Sequence, residues 1–453
     1  MTHYDLIIIG AGSGNSIPTP EHDDISIAII EKGKFGGTCM NVGCIPTKMY
    51  VYAADVAYQA THSQKLGLEG EITNVDWQSI VDRVFTNRID KIAEGGEAYR
   101  RGDETPNITV YDQHAEFIAE KTIKVGDDII TGDEIVIATG SRPQIPEAIA
   151  NSGATFHTNE TIMRVPEQPK SLIIVGGGFI AMEFAHVFDG LGTDVTIVNR
   201  SETLLRFTDK DISDRFNVQA RERFTVKTGI NVAGLEDTAH GIKATFDDGS
   251  TKEADAILVA TGRIPNGDLM NLASAGIDMH DDGRIKVDEF GRTTADGVWA
   301  LGDVSSPYML KHVANAETKA VRHNMLHPED MKPMPHKHVP AAIFTHPQIA
   351  YVGMTEEEAS KNHDITVKVQ NYGDVAYGWA MEDQDGICKL IADKNSGRLL
   401  GAHFYGPQAS TLIQQMITVM AYDIDVRDFA QNQYWIHPAL AEVTENALLG
   451  LEF

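Results

Sequence analysis

Cys39 and Cys44 stand five positions apart in the run Gly36-Gly-Thr-Cys-Met-Asn-Val-Gly-Cys-Ile-Pro-Thr-Lys48, a spacing suited to thiol–disulfide chemistry. Along a regular α-helix, residues so spaced are separated by roughly 8 Å of rise, beyond the ~7 Å between Cα atoms that a disulfide tolerates. If the two sulfurs pair, the segment is not one continuous helix. Gly36, Gly37 and Gly43 let it turn, and Pro46 suits the first turn of a helix running on through Lys48, Tyr50, Ala53 and Ala54. That register puts Cys44 at a helix N-terminus, where free N–H groups and the helix dipole lower a thiol from its usual ~8.5 and favour a thiolate. Cys39 is left on the loop, facing solvent or substrate. Two reduced cysteines in a glycine-rich turn are the alternative that spacing alone leaves open.

The elements around this run explain what it would exchange electrons with. Residues 4–9 form an apolar run of strand length that enters Gly10-Ala-Gly12-Ser-Gly14-Asn15, a dinucleotide fingerprint whose glycines let the backbone approach a pyrophosphate lying on the following helix N-terminus. Its third position carries Asn15 instead of glycine, which would loosen helix-to-strand packing slightly. A second apolar run, residues 25–30, ends in Glu31, placed to accept hydrogen bonds from ribose hydroxyls. The cysteines follow so soon after Glu31 that they lie beside whatever this unit binds, which favours a flavin dinucleotide. Residues 50–66 and 75–102 read as helices, the latter with Trp77, Ile80, Val84, Ile89 and Ile92 near helical spacing. Short strands fill 107–137, and Gly140 closes the last of them under the cofactor.

A second fingerprint, Gly176-Gly-Gly178-Phe-Ile-Ala181, follows the strand 171–175 and predicts a second dinucleotide. The next strand, 194–199, ends in Asn199 and Arg200 where a site for NADH usually offers a carboxylate, and Arg206 lies six residues on. Guanidinium donors suit a 2′-phosphate and favour NADPH. This unit closes at Gly262 as the first did at Gly140. Residues 293–303 then read as a strand stopping at Gly302-Asp303, apt for presenting a carboxylate to a sugar or ribitol hydroxyl. His336 and His338, in the Pro-rich stretch 333–340, read as solvated linker residues and not as a metal site. Cys388 reads as a buried thiol.

Composition narrows the classes further. The 453 residues imply about three domains. Lys plus Arg number 38 against 65 Asp plus Glu, a formal net charge of −27, which argues against nucleic acid or an anionic membrane as partner. Met1–Gly10 lacks the basic start of a signal peptide, and no apolar run reaches the ~20 residues that span a bilayer. Three cysteines are too few for a disulfide framework, so the expected setting is a reducing, cytoplasmic one.

Taken in order along essentially the whole chain, these motifs resemble the pyridine nucleotide-disulfide oxidoreductases of the glutathione reductase type. The resemblance implies an α/β fold: two Rossmann-like dinucleotide-binding domains, for FAD and NADPH, plus an α+β C-terminal dimerisation domain. The implied division is 1–148 for the first part of the FAD domain, 149–265 for NADPH, 266–335 returning to FAD, and 336–453 for dimerisation. It implies a homodimer acting on a small-molecule disulfide. Cys39 then matches the interchange thiol that attacks substrate and Cys44 the thiol against the flavin, while Lys48 and Glu183 match a pair near flavin N5. Gly37 and Thr38 join Gly10, Gly12, Gly14, Asn15, Glu31, Lys48, Gly140, Gly302 and Asp303 as FAD contacts. Gly176, Gly178, Ala181, Glu183, Asn199, Arg200, Arg206 and Gly262 fall to NADPH. His437-Pro438 with Glu442 matches an acid–base dyad that reaches the other subunit's site.

Within the family, Gly12–Ser16, Phe35–Ala54 and His437–Leu451 resemble most the branch that reduces mycothiol disulfide. Glutathione reductases present arginines to their substrate's carboxylates from the first helix of the FAD domain. Here Ser16–Ser26 contains no Arg or Lys but does contain Glu21, Asp23 and Asp24, and Thr318 stands at the comparable place on the later helix. Glutathione reductase, lipoamide dehydrogenase and a non-catalytic flavoprotein partner are the competing readings; Asn199-Arg200 in place of a carboxylate argues against the second.

Overall fold

The computed structural model describes residues 1–453. Ile108–Tyr111, Ile27–Ile30, Thr2–Ile9 and Asp128–Ile137 run parallel, in that order, in a seven-stranded sheet. Every residue of Ile27–Ile30 is buried, as suits a parallel strand covered on both faces. The outer edge of Asp128–Ile137 is shared between two partners. Its first half pairs antiparallel with Thr122–Val125 and its second half parallel with Val298–Ala300. The second pairing is how the chain returns to the first sheet, and it sets Gly302 and Asp303 at the carboxyl ends of the strands, the same end as Gly10.

Between these passages lies a second parallel sheet, ordered Thr225–Thr228, Asp194–Asn199, Ser171–Val175 and Ala256–Val259, beside a three-stranded antiparallel layer. The chain crosses between the two units at Ser141–Pro143 and Arg263–Pro265, which pair antiparallel. The C-terminal part is a five-stranded antiparallel sheet, Pro340–Ile343 through Ile365–Asn371, packed by the helix Ala409–Ala421.

The cysteine run forms two helices, Gly37–Asn41 and Cys44–Thr61, broken at Val42-Gly43. Cys44 begins the second, as its register requires, but Cys39 sits inside the short first helix and not on a loop. The largest core cluster ties Cys44–Thr61 to the helix Phe179–Gly190: Tyr50 and Ala54 meet Phe184 and Phe188 there, all fully buried or nearly so. Burying each such large side chain contributes about 1.5–3 kcal/mol, so the relation between these two helices is strongly held.

Two expectations change. No helix follows the first fingerprint, only 3₁₀ turns at Gly14–Ser16 and Pro20–His22. Pro18 and Pro20 lack the N–H donors that a continuing helix needs, and their rings clash with the preceding turn. A pyrophosphate at this turn would meet backbone amides without a helix dipole behind them, and Asn15 has no helix to loosen: its side-chain oxygen accepts from Arg100 Nε at 2.8 Å. Second, a π-turn at Phe85–Ile89 interrupts the helical stretch of residues 77–101. The extra residue rotates the remainder of the helix, so that Ala93 is buried and Ile92, expected on the core face, is exposed.

Candidate active site

A cavity of about 1440 Å³ runs between the first and second units and under the C-terminal sheet, larger than the ~300–1,000 Å³ of a pocket for one small ligand. Gly10, Gly12, Gly37, Thr38, Cys39, Cys44, Lys48, Gly140, Glu183, Gly302 and Asp303 line it. Its floor is glycine-built where two backbones meet: a Cβ on Gly37, at φ +68°, would come within 2.7 Å of Gly12 Cα. Gly14 packs under this turn against Ile8 and Ala138.

Carboxylates stand on this cavity's wall. Glu31 accepts from the Ala11 and Gly33 amides, both at 2.9 Å. Asp303 accepts from Ser141 Oγ at 2.6 Å; burial raises its pKa above the ordinary carboxylate value, with that hydrogen bond opposing. Glycine floor, backbone amides and hydroxyl-accepting carboxylates fit a flavin dinucleotide: the floor would admit a pyrophosphate, and Glu31 and Asp303 would accept from ribose and ribitol hydroxyls.

The two sulfurs share a hydrogen bond. Both cysteines are free thiols, and a hydrogen bond from Cys44 lowers Cys39 to about 7, against burial and with help from the Lys311 ammonium. Cys44 is raised, by that same hydrogen bond first and burial second. Its place at the helix terminus is as expected, and the two thiols lose their protons as a pair.

Lys48 forms a very short ion pair with Glu183, whose other oxygen accepts from the Phe344 amide at 2.9 Å. The Lys48 ammonium also lies 4.5 Å from the centre of the Phe344 ring. One residue from each of the three sheet systems thus meets beside the cysteines.

In the second unit a Cβ on Gly176, at φ +130°, would strike Ala260 O at 2.3 Å, whereas Gly178 faces open space and Ala181 is packed in the core. Gly262 sits near Gln144. Asn199 is turned inward, its amide donating to Ser201 O and Thr203 O at 2.8 and 3.2 Å. Arg200 and Arg206 are exposed, and no carboxylate of the chain pairs with either.

His437 Nδ1 donates to Glu442 Oε1 at 2.7 Å, and this hydrogen bond is the main cause holding Glu442 below its ordinary value. The imidazole is 70 % exposed and outside the cavity of its own chain.

Several site residues are not legible in the motifs. Arg263, directly after Gly262, donates to Ser141 Oγ at 2.7 Å and to Asn159, whose own amide reaches Val42 O at 2.9 Å in the break between the cysteine helices. Buried Glu317 accepts from Gly302 N at 2.7 Å and from His336 Nε2 at 2.6 Å, so His336 is anchored beside the Gly302 turn and not solvated linker. Thr318 is buried too, donating to Ala314 O, and does not line the cavity. A helical repeat of buried positions in Lys311–Leu326 is the one sequence signal that marks Glu317 and Thr318 as inward.

Residues 4–320 match the family described as Pyridine nucleotide-disulphide oxidoreductase, and residues 339–448 its dimerisation domain. The chain belongs to this pyridine nucleotide-disulphide oxidoreductase family. It is 52% identical to a protein named mycothione reductase from Mycobacterium tuberculosis, over all of both chains. Dihydrolipoyl dehydrogenase of Halobacterium salinarum is 30% identical, over 98% of this chain and 96% of that one. Among solved structures, the HOCl-induced flavoprotein disulfide reductase RclA from Escherichia coli superposes with a TM-score of 0.87 at 27% identity, covering 99% of this chain and 100% of that one. The chain is accordingly an NADPH-dependent flavoprotein disulfide oxidoreductase with FAD and NADPH as cofactors, a homodimer through its C-terminal domain, acting on a small disulfide. No helix is long and apolar enough to cross a membrane.

Proposed function

We propose that this oxidoreductase reduces mycothiol disulfide, with the domain division and residue roles set out from the sequence. The carrying observation is the segment after the first fingerprint, beyond the lining of the cavity: two 3₁₀ turns in place of a helix, with exposed Glu21, Asp23 and Asp24 and no Arg or Lys from Ser16 to Ser26. A disulfide bearing several carboxylates meets like charge there. Mycothiol, an acetylated cysteine on a glucosamine–inositol unit, carries no carboxylate and offers hydroxyls. The full-length likeness to a mycothione reductase supports the same reading.

When bound, the nicotinamide and flavin together supply two electrons to the Cys39–Cys44 disulfide. The chain's own residues do the rest. Cys39 thiolate attacks one sulfur of the substrate, forming a mixed disulfide and releasing the first thiol. Cys44 then attacks Cys39, re-forming the protein disulfide and releasing the second. Each leaving thiolate takes a proton from the partner subunit's His437, the second of them the proton that Cys44 gives up to that ring as it attacks. Glu442 holds that ring through Nδ1, leaving Nε2 for the transfer. Lys48 and Glu183, locked to Phe344, fix the cysteine helix against the second unit where the nicotinamide enters.

The test is catalytic efficiency with mycothiol disulfide and with glutathione disulfide at saturating NADPH. Mycothiol disulfide is expected to be favoured by about 100-fold or more, the scale of like-charge juxtaposition for the other disulfide. Equal turnover of the two would overturn the substrate and leave disulfide reduction standing.

A further inference from the structure

Gly43, in the break between the cysteine helices, folds back on the first of them: a Cβ there would come within 2.9 Å of Thr38 O and 3.3 Å of Cys39 Cα. Most of what holds this break is local. Val42 N donates to Thr38 O at 3.0 Å, and Thr47 donates to Gly43 O through its amide at 3.0 Å and its hydroxyl at 2.7 Å. The Asn41 side-chain amide donates to Phe35 O and Gly37 O at 2.9 and 3.1 Å. Residues 40–43 receive one hydrogen bond from elsewhere in the chain, the donation of Asn159 Nδ2 to Val42 O at 2.9 Å.

Asn159 is buried and comes from the second unit. Two residues before it, His157 joins that unit's parallel sheet beside Leu258, its amide donating to Ile257 O at 2.9 Å. The Asn159 side-chain oxygen accepts from Arg263 Nη1 at 3.4 Å, which turns its nitrogen toward Val42. Arg263 is fixed in turn, donating from Nε to Ser141 Oγ at 2.7 Å and from Nη2 to Ser141 O at 2.6 Å, while Ser141 Oγ donates to Asp303 at 2.6 Å. An unbroken chain of hydrogen bonds thus runs from the carboxylate suited to a ribitol hydroxyl to the peptide carbonyl between the two sulfurs. Asp303, Ser141, Arg263, Asn159 and Val42 all line the one cavity.

We propose that Asn159 is a positioning residue for the Cys39–Cys44 couple: by holding Val42 O it keeps the break folded when the sulfurs are reduced, and so favours closure of the disulfide and lowers the couple's reduction potential. The inference rests on the Cys39–Cys44 disulfide of the cycle set out above and is independent of which disulfide is the substrate. The direction follows from what holds each state together. In the disulfide the S–S bond itself keeps the two helices in place, since it tolerates only a narrow range of separations. In the dithiol nothing covalent does, and a contact that orders the break raises the effective concentration of one sulfur at the other. Without the Asn159 amide the dithiol gains freedom and disulfide formation is disfavoured by the scale of one hydrogen bond, roughly threefold to tenfold.

The experiment equilibrates the holoenzyme in mixtures of reduced and oxidised dithiothreitol, in which the protein disulfide and the reduced reagent exchange with two protein thiols and the cyclic reagent disulfide. Iodoacetamide then traps the free thiols, and the mass of the peptide carrying Cys39 and Cys44 gives the oxidised fraction. Asn159→Leu should lower the constant for disulfide formation roughly threefold to tenfold, which raises the potential by about 15–30 mV. Asn159→Ser removes the same amide without the bulk and should shift likewise; it carries the test where the leucine variant fails to keep its flavin. Thr161→Ala is the control. Thr161 Oγ1 accepts from the Thr158 amide at 3.2 Å in the turn that bears Asn159, so this variant loosens the turn, keeps the clamp, and should match the parent. An unmoved constant in a flavin-bearing Asn159 variant overturns the proposal and leaves the cycle standing. An equal shift in Thr161→Ala also overturns it, because general loosening then suffices. A parent in which Cys39 and Cys44 never pair overturns the cycle and the role of Asn159 with it.

Discussion

Asp55 and His186 form a second polar tie between the helices that bring Lys48 to Glu183: His186 Nε2 donates to Asp55 Oδ1 at 2.8 Å. The other ring nitrogen accepts from Arg223 Nη2 at 3.0 Å, which fixes the neutral tautomer. Arg223 also reaches His346 O at 3.3 Å, and His346 in turn faces Asp55 at 3.5 Å. The cysteine helix, the second unit and the C-terminal sheet are therefore joined twice, once at the chemistry and once below it.

This tie carries a pH prediction. Burial holds His186 below its ordinary value of 6.5, with the hydrogen bond to Asp55 opposing. The unfolded chain therefore binds more protons than the folded one below about pH 6.5, so the contribution is complete above that pH and is lost as pH falls below it. Asp55 follows lower down: burial alone would raise it, but hydrogen bonds from His186 and His346 outweigh that and bring it to about 2, so its contribution is lost from about 3.8 downward. The urea midpoint should fall between pH 7 and pH 5.5 in the parent and fall less in His186→Gln. His186→Ala should cost about 1.5–3 kcal/mol at pH 7. A midpoint flat across that range in the parent would refute the assignment.

The two cysteines should part on trapping. Cys39→Ser and Cys44→Ser should each lower disulfide reduction by roughly 10³-fold or more, since the two act as one unit. Cys44→Ser, however, retains the attacking sulfur without the resolving one, and should accumulate a mixed disulfide with one substrate thiol, visible as a single adduct in the intact mass. Cys39→Ser should not. Adducts on both variants, or on neither, would contradict the division of labour.

How far these residues are legible in the sequence depends on how local their causes are. The break between the cysteine helices is written in Gly43 and Pro46, and Cys44 starts its helix where the proline register places it. The strand ending at Asn199 and the return at Gly302-Asp303 are likewise local patterns. The missing first helix is equally local, in Pro18 and Pro20, but the glycine fingerprint just before them carries a helix expectation of its own. By contrast, Asn159 reaching Val42 and His336 reaching Glu317 depend on partners set by the assembled sheets. The exposure of Ile92 stems from one inserted π-turn that no periodicity reveals. The hydrogen bond between the two sulfurs also lies in the assembled chain: the break at Val42-Gly43 turns the short helix of Cys39 back onto the start of the Cys44 helix.

Arg200 and Arg206 are expected to set the cofactor preference. Both guanidinium groups are free, and Asn199 is engaged within the turn. Arg200→Ala should remove a charge-assisted contact with a 2′-phosphate, costing about 1.5–3 kcal/mol, or roughly 10- to 100-fold in NADPH efficiency, with NADH use little changed. Steady-state kinetics with both nucleotides check it. Equal losses for both would show the residue serving some part the two cofactors share.

His437 stands 70 % exposed, outside its own chain's cavity, while its partner Glu442 is only 15 % exposed. A dyad with one member fixed and the other projecting suits a proton donor used by another subunit, and it lies within the stretch matched to the dimerisation domain. A homodimer of His437→Ala and one of Cys39→Ser should each be nearly inactive. Heterodimers carrying one mutant chain of each kind hold one site with neither mutation, because its His437 comes from the Cys39→Ser chain and its Cys39 from the His437→Ala chain. Subunit exchange between the two homodimers should therefore restore about one quarter of the parent's activity per site at random mixing: half of the dimers become mixed, each with one of two sites intact. Tagged subunits quantify the exchange. Demonstrated heterodimers without recovered activity would require His437 to act within its own chain, a placement its exposure contradicts.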